Sequence, residues 1–200
     1  IRDRLGLITG MGRISRNTVL NNIATFYVEF IRGVPMLVLI FFIALVGVPT
    51  VIEWLNALGF TALSTKDVPN EVRAVIALSV TYGAFLAEIF RAGIQSITKG
   101  QMEAARSLGM GYGQAMRYVI LPQAVRNVLP ALGNDFVAMV KDSSLVSLLA
   151  VGDITYKTKL YSGTSFRFRE GYTILALFYL LMTVILSRFM SMVERRMSNE

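Results

Sequence analysis

The sequence predicts an all-α fold, a polytopic membrane helical bundle. Of its 200 residues, 54% are hydrophobic and 16% are charged, and the mean hydropathy is +0.55, which is too apolar for a soluble domain of ordinary composition. Four long apolar segments alternate with polar ones, and each approaches the length that a bilayer requires. The net charge of +7 is typical of Lys and Arg kept on the cytoplasmic side of a membrane, and we expect no nucleic-acid partner.

The amino-terminal stretch, residues 1–25, is mixed and basic. It carries Arg2, Arg4, Arg13 and Arg16. The apolar run at residues 5–11 is too short to cross a bilayer, which takes about 20 residues. It is either the tail of a preceding membrane helix or an interfacial piece. Because the chain starts at Ile1 rather than Met, we expect that a preceding segment is missing.

The first predicted span is residues 33–52, which contain no charged side chain. Pro35 lies near its start, where the missing N–H costs least, and Arg32 precedes it on the inner side. Residues 53–70 are predicted to form a loop. Trp54, in that loop, is a residue type that favours the membrane interface.

The second predicted span is residues 71–95. Gly83 and Ala87, four residues apart, give it a small-residue face on which another helix can pack closely. Near its end, Glu88 and Arg91 have the i, i+3 spacing of an ion pair. Either Glu88 contributes to a solute pathway or the pair only stabilises the end of the helix, and the sequence leaves both interpretations open.

A polar, small-residue segment, residues 99–122, follows that span. Residues 101–108 are mostly strong helix formers, and Gly109, Gly111 and Gly113 predict a stop followed by a turn. A second short helix is predicted at residues 112–120 and should be closed by Pro122. The first helix offers an apolar ridge for helix-in-groove docking to a partner, formed by Met102, Ala105 and Leu108.

The third predicted span, residues 127–152, is interrupted by polar side chains, namely Asn134, Asp135, Lys141 and Asp142. Ionisable groups in a membrane helix are costly and should face a cavity or each other. Asp135 and Asp142 are seven residues apart, nearly on one helical face. We therefore predict a solute path in which the two aspartates meet a substrate ammonium and Lys141 or Asn134 meets its carboxylate. Alternatively, Lys141 and Asp142 pair with each other or lie at the water boundary.

The chain closes with a predicted outer loop, residues 153–170, a last span, residues 171–187, and a basic tail. If residues 99–122 lie in the cytoplasm and the spans alternate, the outer side holds only Lys66, Arg73, Lys157, Lys159, Arg167 and Arg169. The inner side then carries about twice as many positive residues, including Arg106, Arg117, Arg188, Arg195 and Arg196. This asymmetry has the direction that the positive-inside rule requires.

Several kinds of chemistry are excluded by residues and motifs that the sequence lacks. Without Cys or His the chain cannot form disulfides, the usual zinc, haem or iron–sulfur ligand sets, or a Ser-His-Asp triad. No Gly-Lys dipeptide occurs, so the usual ATP cradle is absent. We expect no enzyme activity, no catalytic residue, no metal and no cofactor bound by this chain. Uphill transport would need energy from another subunit or an ion gradient.

Seven short sequence features, in their order and spacing along the chain, together carry a resemblance to a known family. In residues 99–122 they are Glu103-Ala104-Ala105, Gly109 three residues after Arg106, and Val119-Ile120-Leu121-Pro122. Elsewhere they are Ile31-Arg32-Gly33-Val34-Pro35, Gly83-Ala84-Phe85-Leu86-Ala87-Glu88-Ile89, Leu132-Gly133-Asn134 and Lys141-Asp142-Ser143-Ser144-Leu145. Together they resemble the polar amino-acid uptake permeases, a group of type I ABC importer permeases with a cytoplasmic EAA loop. The resemblance covers about residues 13–196, as one permease domain.

The resemblance implies a multi-pass protein of the bacterial plasma (inner) membrane, with a further helix ahead of residue 1. It implies a second permease subunit, identical or different, two cytoplasmic ABC ATPase subunits that bind ATP and Mg²⁺, and an extracytoplasmic solute-binding protein. The segment 99–122 would carry the coupling helix, whose ATPase contacts are expected at Gln101, Met102, Glu103, Ala104, Ala105, Leu108 and Gly109. The substrate pathway would involve Glu88, Asn134, Asp135, Lys141 and Asp142.

Two other functions are compatible with the same residues. An ATP-independent channel or ion-coupled carrier could use the polar stripe alone and would need no docking helix. A membrane scaffold with basic loops on anionic lipids would explain the inner arginines but not the acidic pair. For an importer, Asp135 favours substrates with an accessible cation, so a basic or broad amino-acid range is expected, with glutamine, glutamate and other polar amino acids still open.

Overall fold

The computed structural model describes residues 5–6, 9–10, 12–13, 17–60 and 62–198, and within these ranges all regular structure is helical. We number seven helices through the part described continuously. They are α1 (Thr18–Gly33), α2 (Met36–Ala57), α3 (Asn70–Gln95), α4 (Lys99–Ser107), α5 (residues 112–142), α6 (Ile154–Ser165) and α7 (Phe168–Ser198). The expected all-α architecture is confirmed for the described residues.

Helix α1 begins in the basic amino-terminal stretch and runs past residue 25, in a region to which the sequence analysis assigned no element. Asn17 caps it, since its side-chain oxygen accepts hydrogen bonds from the backbone N–H of Val19 at 3.0 Å and of Leu20 at 3.4 Å. One face is buried. On that face Tyr27 donates a hydrogen bond to the carbonyl of Val80 in α3, and burial raises the pKa of the Tyr27 phenol. Helix α1 is therefore attached along α3.

Helix α2 begins and ends later than predicted for the first span. Pro35 has ψ 136°, an extended value, so it caps the helix instead of lying within its first turn. At the other end the helix continues to Ala57, so residues 53–57 are helical rather than part of the predicted loop. In the rest of the predicted 53–70 loop, the described residues form a 3₁₀ turn at Thr65–Asp67 and the start of α3 at Asn70 and are otherwise irregular.

Two π-helical segments lie directly before prolines. Ile43–Gly47 precedes Pro49 within α2, and Met116–Ile120 precedes Pro122 within α5. A proline cannot donate to the carbonyl four residues back, which in each case lies in the π segment, and the wider turn accommodates that loss without ending the helix. The prediction that Pro122 closes a short helix was therefore wrong: the helix runs on to Asp142.

The carboxy-terminal third also differs from the prediction. The 127–152 span was misplaced, since its helix starts at residue 112, ends at Asp142 and gives way to a 3₁₀ segment, Ser143–Leu149. The predicted outer loop 153–170 is largely helix α6, because Asp153 accepts hydrogen bonds from Thr155 N and Tyr156 N. Helix α7 extends beyond the predicted 171–187 at both ends.

Three helices in the described part are long and apolar enough to cross a membrane: Met36–Ala57, Asn70–Gln95 and Phe168–Arg196. The predicted third span is not among them. The helix in this place, α5, carries Arg126, Asp135, Lys141 and Asp142, and these charges lower its hydropathy. We therefore expect α5 to be surrounded by protein rather than by lipid alone.

Helix α3 is the centre of the bundle, and the predicted small-residue face is confirmed. Ala84 and Ala87 are fully buried against Val28 and Ile31 of α1 and Leu39 of α2. Nearer the start of α3, a second buried cluster joins α2, α3 and the 3₁₀ segment through Ile40, Ala44, Ala74, Ala77, Val146 and Leu149. Small residues thus let three elements approach one helix closely.

Glycines make two further close helix contacts. A Cβ added to Gly93 in α3 would lie 1.9 Å from Val128 Cγ1 of α5, and one added to Gly133 in α5 would lie 2.9 Å from Glu194 Oε1 of α7. Because α5 is held on one side by α3 and on the other by α7, the polar residues of α5 are fixed within the bundle.

Candidate functional site

Helix α4 is suspended between the ends of α3 and α5. It follows α3 after only three residues, 96–98. Gln101, near the start of α4, is linked to α5 by a long hydrogen bond of 3.4 Å from Gln123 Nε2 to Gln101 Oε1. Asn127 Nδ2 of α5 donates to Ser96 Oγ, in the connection between α3 and α4, at 2.8 Å. A displacement of α4 would therefore be transmitted to both α3 and α5.

The end of α4 is a glycine stop, as predicted. Gly109 has φ +84°, a left-handed conformation that glycine adopts without steric cost. The backbone N–H groups of Gly109 and Met110 bond back to the carbonyls of Arg106 at 3.0 Å and Ala105 at 3.2 Å. The chain thus reverses within a few residues and enters α5.

The outward face of α4 differs from the predicted ridge in one residue. Ala105 was expected to be exposed, but it is only 4% exposed, because this side of α4 packs on residues 112–120 of α5. Met102 is half-buried. Leu108 is 81% exposed. The remaining predicted contact residues are also exposed, namely Gln101, Glu103, Ala104 and Gly109. The exposed face of α4 is thus centred on Glu103, Ala104 and Leu108.

The polar stripe of α5 is present on one continuous helix. Asn134 and Lys141 are exposed, whereas Asp135 and Asp142 are half-buried. Asp142 Oδ2 accepts a hydrogen bond of 2.7 Å from the hydroxyl of Tyr82, a buried residue of α3. Asp142 thus has a partner on another helix, a different arrangement from the local pair with Lys141 that the sequence left open.

Glu88 is the centre of an ion cluster that joins three parts of the chain. Arg91 binds it with two hydrogen bonds, from Nε at 2.9 Å and from Nη2 at 2.5 Å, as the i, i+3 spacing predicted. Arg13, from the amino-terminal segment, forms an ion pair with the same carboxylate, and Arg32 at the end of α1 lies 3.7 Å from it. Glu29 lies 3.9 Å from Arg13. These contacts do not test a role of Glu88 in a solute pathway.

A cleft of about 630 Å³ opens between α3 and α5 beside this cluster. Its polar lining comes from Glu88, Ser96, Arg126 and Asn127, and the rest is small or apolar. An opening of this size, with few polar groups, is of the kind that accommodates small solutes. Of the predicted pathway residues only Glu88 lines it. Asn134, Asp135, Lys141 and Asp142 lie further along α5.

Sequence reasoning missed the tertiary partners of the site. Arg13 and Tyr82 meet Glu88 and Asp142 across 75 and 60 residues of chain, and no local spacing indicates such pairs. Arg126 and Asn127 carried a weak signal, as polar residues one helical turn beyond Pro122, but they were assigned only to the inner side and to the start of a span.

The whole chain matches one family. Residues 4–199 match the model of the binding-protein-dependent transport system inner membrane component. The chain belongs to this family. It is therefore a transport permease subunit of the inner membrane, which favours the expected importer component over a self-sufficient carrier.

Individual relatives are similar along nearly the whole permease. It is 42% identical over 193 residues to the probable glutamine ABC transporter permease protein of Bacillus subtilis strain 168, covering 96% of this chain and 83% of that one. To the glutamine transport system permease protein of Escherichia coli K12 it is 35% identical, with the same coverage. To the arginine transport system permease protein of Bacillus subtilis it is 34% identical over 195 residues, covering 98% and 83%.

Solved structures agree with the fold. The permease matches a chain of a crystal structure of an amino acid ABC transporter with histidines at 38% identity and a TM-score of 0.82, covering 98% of this chain and 85% of that one. A chain of the inward-facing methionine ABC transporter MetNI matches with a TM-score of 0.70 at 18% identity, over 98% and 86%. That second likeness concerns the fold alone.

Proposed function

We propose that this permease moves an amino acid across the membrane and couples that movement to ATP hydrolysis on separate ATPase subunits. The observation that carries the proposal is the position of α4, a nine-residue helix fixed to both α3 and α5. The names of the relatives support the substrate class, since they include glutamine, arginine and unspecified amino-acid systems.

The docking partner of α4 would be a groove on an ATPase subunit. That subunit, and not this chain, would bind ATP and Mg²⁺. Leu108 supplies the apolar contact, and Glu103 supplies a negative charge for basic groups of the ATPase. Helix α4 is too short to be stable alone in water, so its conformation depends on the contacts with α5. When the ATPases close, they would move α4 and with it α3 and α5.

The pathway would follow the polar stripe of α5, with Asp135 as the principal contact for a substrate ammonium. Asp135 and Asp142 are separated by about 10 Å along the helix, so one aspartate after the other can meet the same charged group. Asn134 and Lys141 are exposed beside them and suit the substrate carboxylate. A second permease subunit would close this side of the pathway, and a solute-binding protein would deliver the substrate from outside.

Uptake into proteoliposomes tests the proposal. We expect uptake only with ATP, the ATPase and the binding protein, and a changed amino-acid preference in Asp135→Asn. Glu103→Lys and Gly109→Leu should leave insertion and ATPase assembly measurable but separate hydrolysis from uptake, whereas Lys66→Gln, in the loop after α2, serves as a distant control. Uptake by the permease alone down an ion gradient would instead establish a carrier, and normal uptake by both coupling variants would contradict the role of α4.

A further inference from the structure

Helix α7 carries a feature that the transport function does not use. It is exposed around most of its circumference, and one line of its exposed apolar side chains, the apolar stripe, is formed by Ile174, Leu177, Leu181 and Ile185, each more than half exposed. The spacing of three, four and four residues keeps them on one face of the helix. The opposite face packs on α5 and α6, through contacts such as Met190 with Gly133 and Tyr179 with Thr155 at 3.0 Å.

The same face ends in a basic patch formed by Arg188, Arg195 and Arg196. Arg188 and Arg195 follow Leu181 at steps of seven residues, two helical turns each, so they continue the line of the stripe. All three arginines are exposed. The ion pairs found in the described ranges join Arg13, Arg32 and Arg91 to Glu29 and Glu88, and none of these pairs involves a patch arginine.

The arginines line an open cleft of about 660 Å³ between side chains of α7 itself. Its lining is completed by Ser191 and Met192. Guanidinium groups bind phosphate oxygens in a bidentate manner, and the Ser191 hydroxyl adds a further donor. Met192 provides an apolar side to the cleft, directly below Ile185 and Arg188. The chemistry suits a phosphate that is attached to an apolar chain.

The length of α7 places this patch at the membrane boundary. Residues 171–187, between Glu170 and Arg188, carry no charged side chain and rise about 26 Å, close to the thickness of the hydrocarbon core. Arg188 then lies where headgroups begin, and Arg195 and Arg196 lie about 10 Å beyond it. Basic residues at this depth belong to the cytoplasmic side by the positive-inside rule, where anionic lipids attract them.

We propose that the α7 face binds one anionic phospholipid, with its phosphate in the arginine cleft and an acyl chain along the apolar stripe. The occupant has to be anionic at one end and apolar for about 15 Å or more above it, and a phospholipid such as phosphatidylglycerol has that shape. Zwitterionic phosphatidylcholine offers the same chains but no net charge for the patch.

The test measures which lipid occupies the stripe. Because this chain has no Cys, Ile185→Cys gives it a single position for a fluorophore, and nitroxide-labelled lipids quench a fluorophore that they touch. In the full-length permease in vesicles we expect nitroxide phosphatidylglycerol to associate about fivefold or more above nitroxide phosphatidylcholine. The Gln variants of Arg188, Arg195 and Arg196 combined should lower that ratio to about one.

Matched variants make the result specific. Arg167→Gln with Arg169→Gln removes charge from the opposite end of α7 and should keep the preference. Replacing the three patch arginines by Lys keeps the charge but removes the bidentate guanidinium contacts, so the preference should fall between the wild-type and Gln values, which separates a lost site from a misfolded protein. The proposal is overturned if both lipids quench equally, if neither quenches because protein covers the stripe, or if inorganic phosphate at constant ionic strength removes the preference.

Discussion

The hydroxyl of Tyr82 in α3 donates a hydrogen bond to Asp142 Oδ2 at the end of α5, at 2.7 Å. Tyr82 is 2% exposed, so this bond lies in the bundle and fixes the last turn of the helix that carries the polar stripe. The predicted pathway is thus positioned by a residue outside it.

Tyr82→Phe removes that hydrogen bond and leaves the ring in place. Hydrogen bonds to charged groups contribute about 1.5–3 kcal/mol, so we expect a lower thermal midpoint in detergent and a weaker effect of a second change, Asp142→Asn. Tyr161→Phe is the control, since Tyr161 is 52% exposed. Equal losses for Tyr82→Phe and Tyr161→Phe would show that the bond does not stabilise the fold.

Gly93→Ala tests the contact between α3 and α5. The new methyl group would lie 1.9 Å from Val128 Cγ1, so either the Val128 side chain or the two helices must shift, and overpacking of this kind costs about 1–3 kcal/mol. Val128→Ala in the same chain should restore part of the stability in detergent denaturation. Gly100→Ala, where nothing lies within 4 Å of the added Cβ, should have no such cost. If Val128→Ala does not restore stability to Gly93→Ala, the destabilisation arises from a contact other than the one with Val128.

Substitutions of Gly109 test whether the left-handed turn after α4 sets the position of this helix. At φ +84° an alanine pays about 1–2 kcal/mol, whereas asparagine tolerates the left-handed region better. We therefore expect ATP-driven uptake per ATP hydrolysed to fall in the order Gly, Asn, Ala. The ratio is the readout because it does not depend on the amount of inserted protein. An alanine variant with the wild-type ratio would mean that the turn does not set the position of α4.

Local sequence patterns predicted much of this fold. The apolar run of α3 was placed within one residue of its observed start and at its observed end, and the glycine stop at residue 109 is correct. In both cases a single local cause, hydrophobic length or a positive φ, decides the structure. Glu103 and Leu108, which we propose for docking, are exposed in a short, mostly polar segment that ends at Gly109.

Prolines and tertiary partners account for the differences. A proline ends most helices just before itself. Before Pro122, however, a π turn keeps α5 continuous, and no sequence rule indicated that turn. Ala105 is small and apolar, which is compatible both with the predicted docking ridge and with the observed contact with α5 that buries it. The partners of Glu88 and Asp142 come from distant parts of the chain, and only the packed helices bring them together.

Two glutamates that contact Arg13 allow the ion cluster to be tested. Glu88 is 20% exposed and binds Arg13, Arg32 and Arg91, whereas Glu29 is 71% exposed and lies 3.9 Å from Arg13 alone. Glu88→Gln leaves three neighbouring guanidinium groups with only the exposed Glu29, 3.9 Å from Arg13, as a counter-charge in the described ranges, and losing the hydrogen-bonded partner of partly buried charges costs about 1–3 kcal/mol. Glu29→Gln removes an exposed pair and should cost under about 0.5 kcal/mol.

Thermal unfolding in detergent and uptake, measured on both variants, separate the two roles open to Glu88. If Glu88 holds the amino-terminal segment and α1 against α3, Glu88→Gln lowers the unfolding midpoint, high salt narrows its difference from wild type, and the surviving protein keeps its amino-acid preference. If Glu88 contacts the solute beside the cleft, the preference changes while the midpoint stays near that of Glu29→Gln. The cluster geometry favours the first result, because three arginines already occupy the carboxylate and a substrate ammonium would have to displace them.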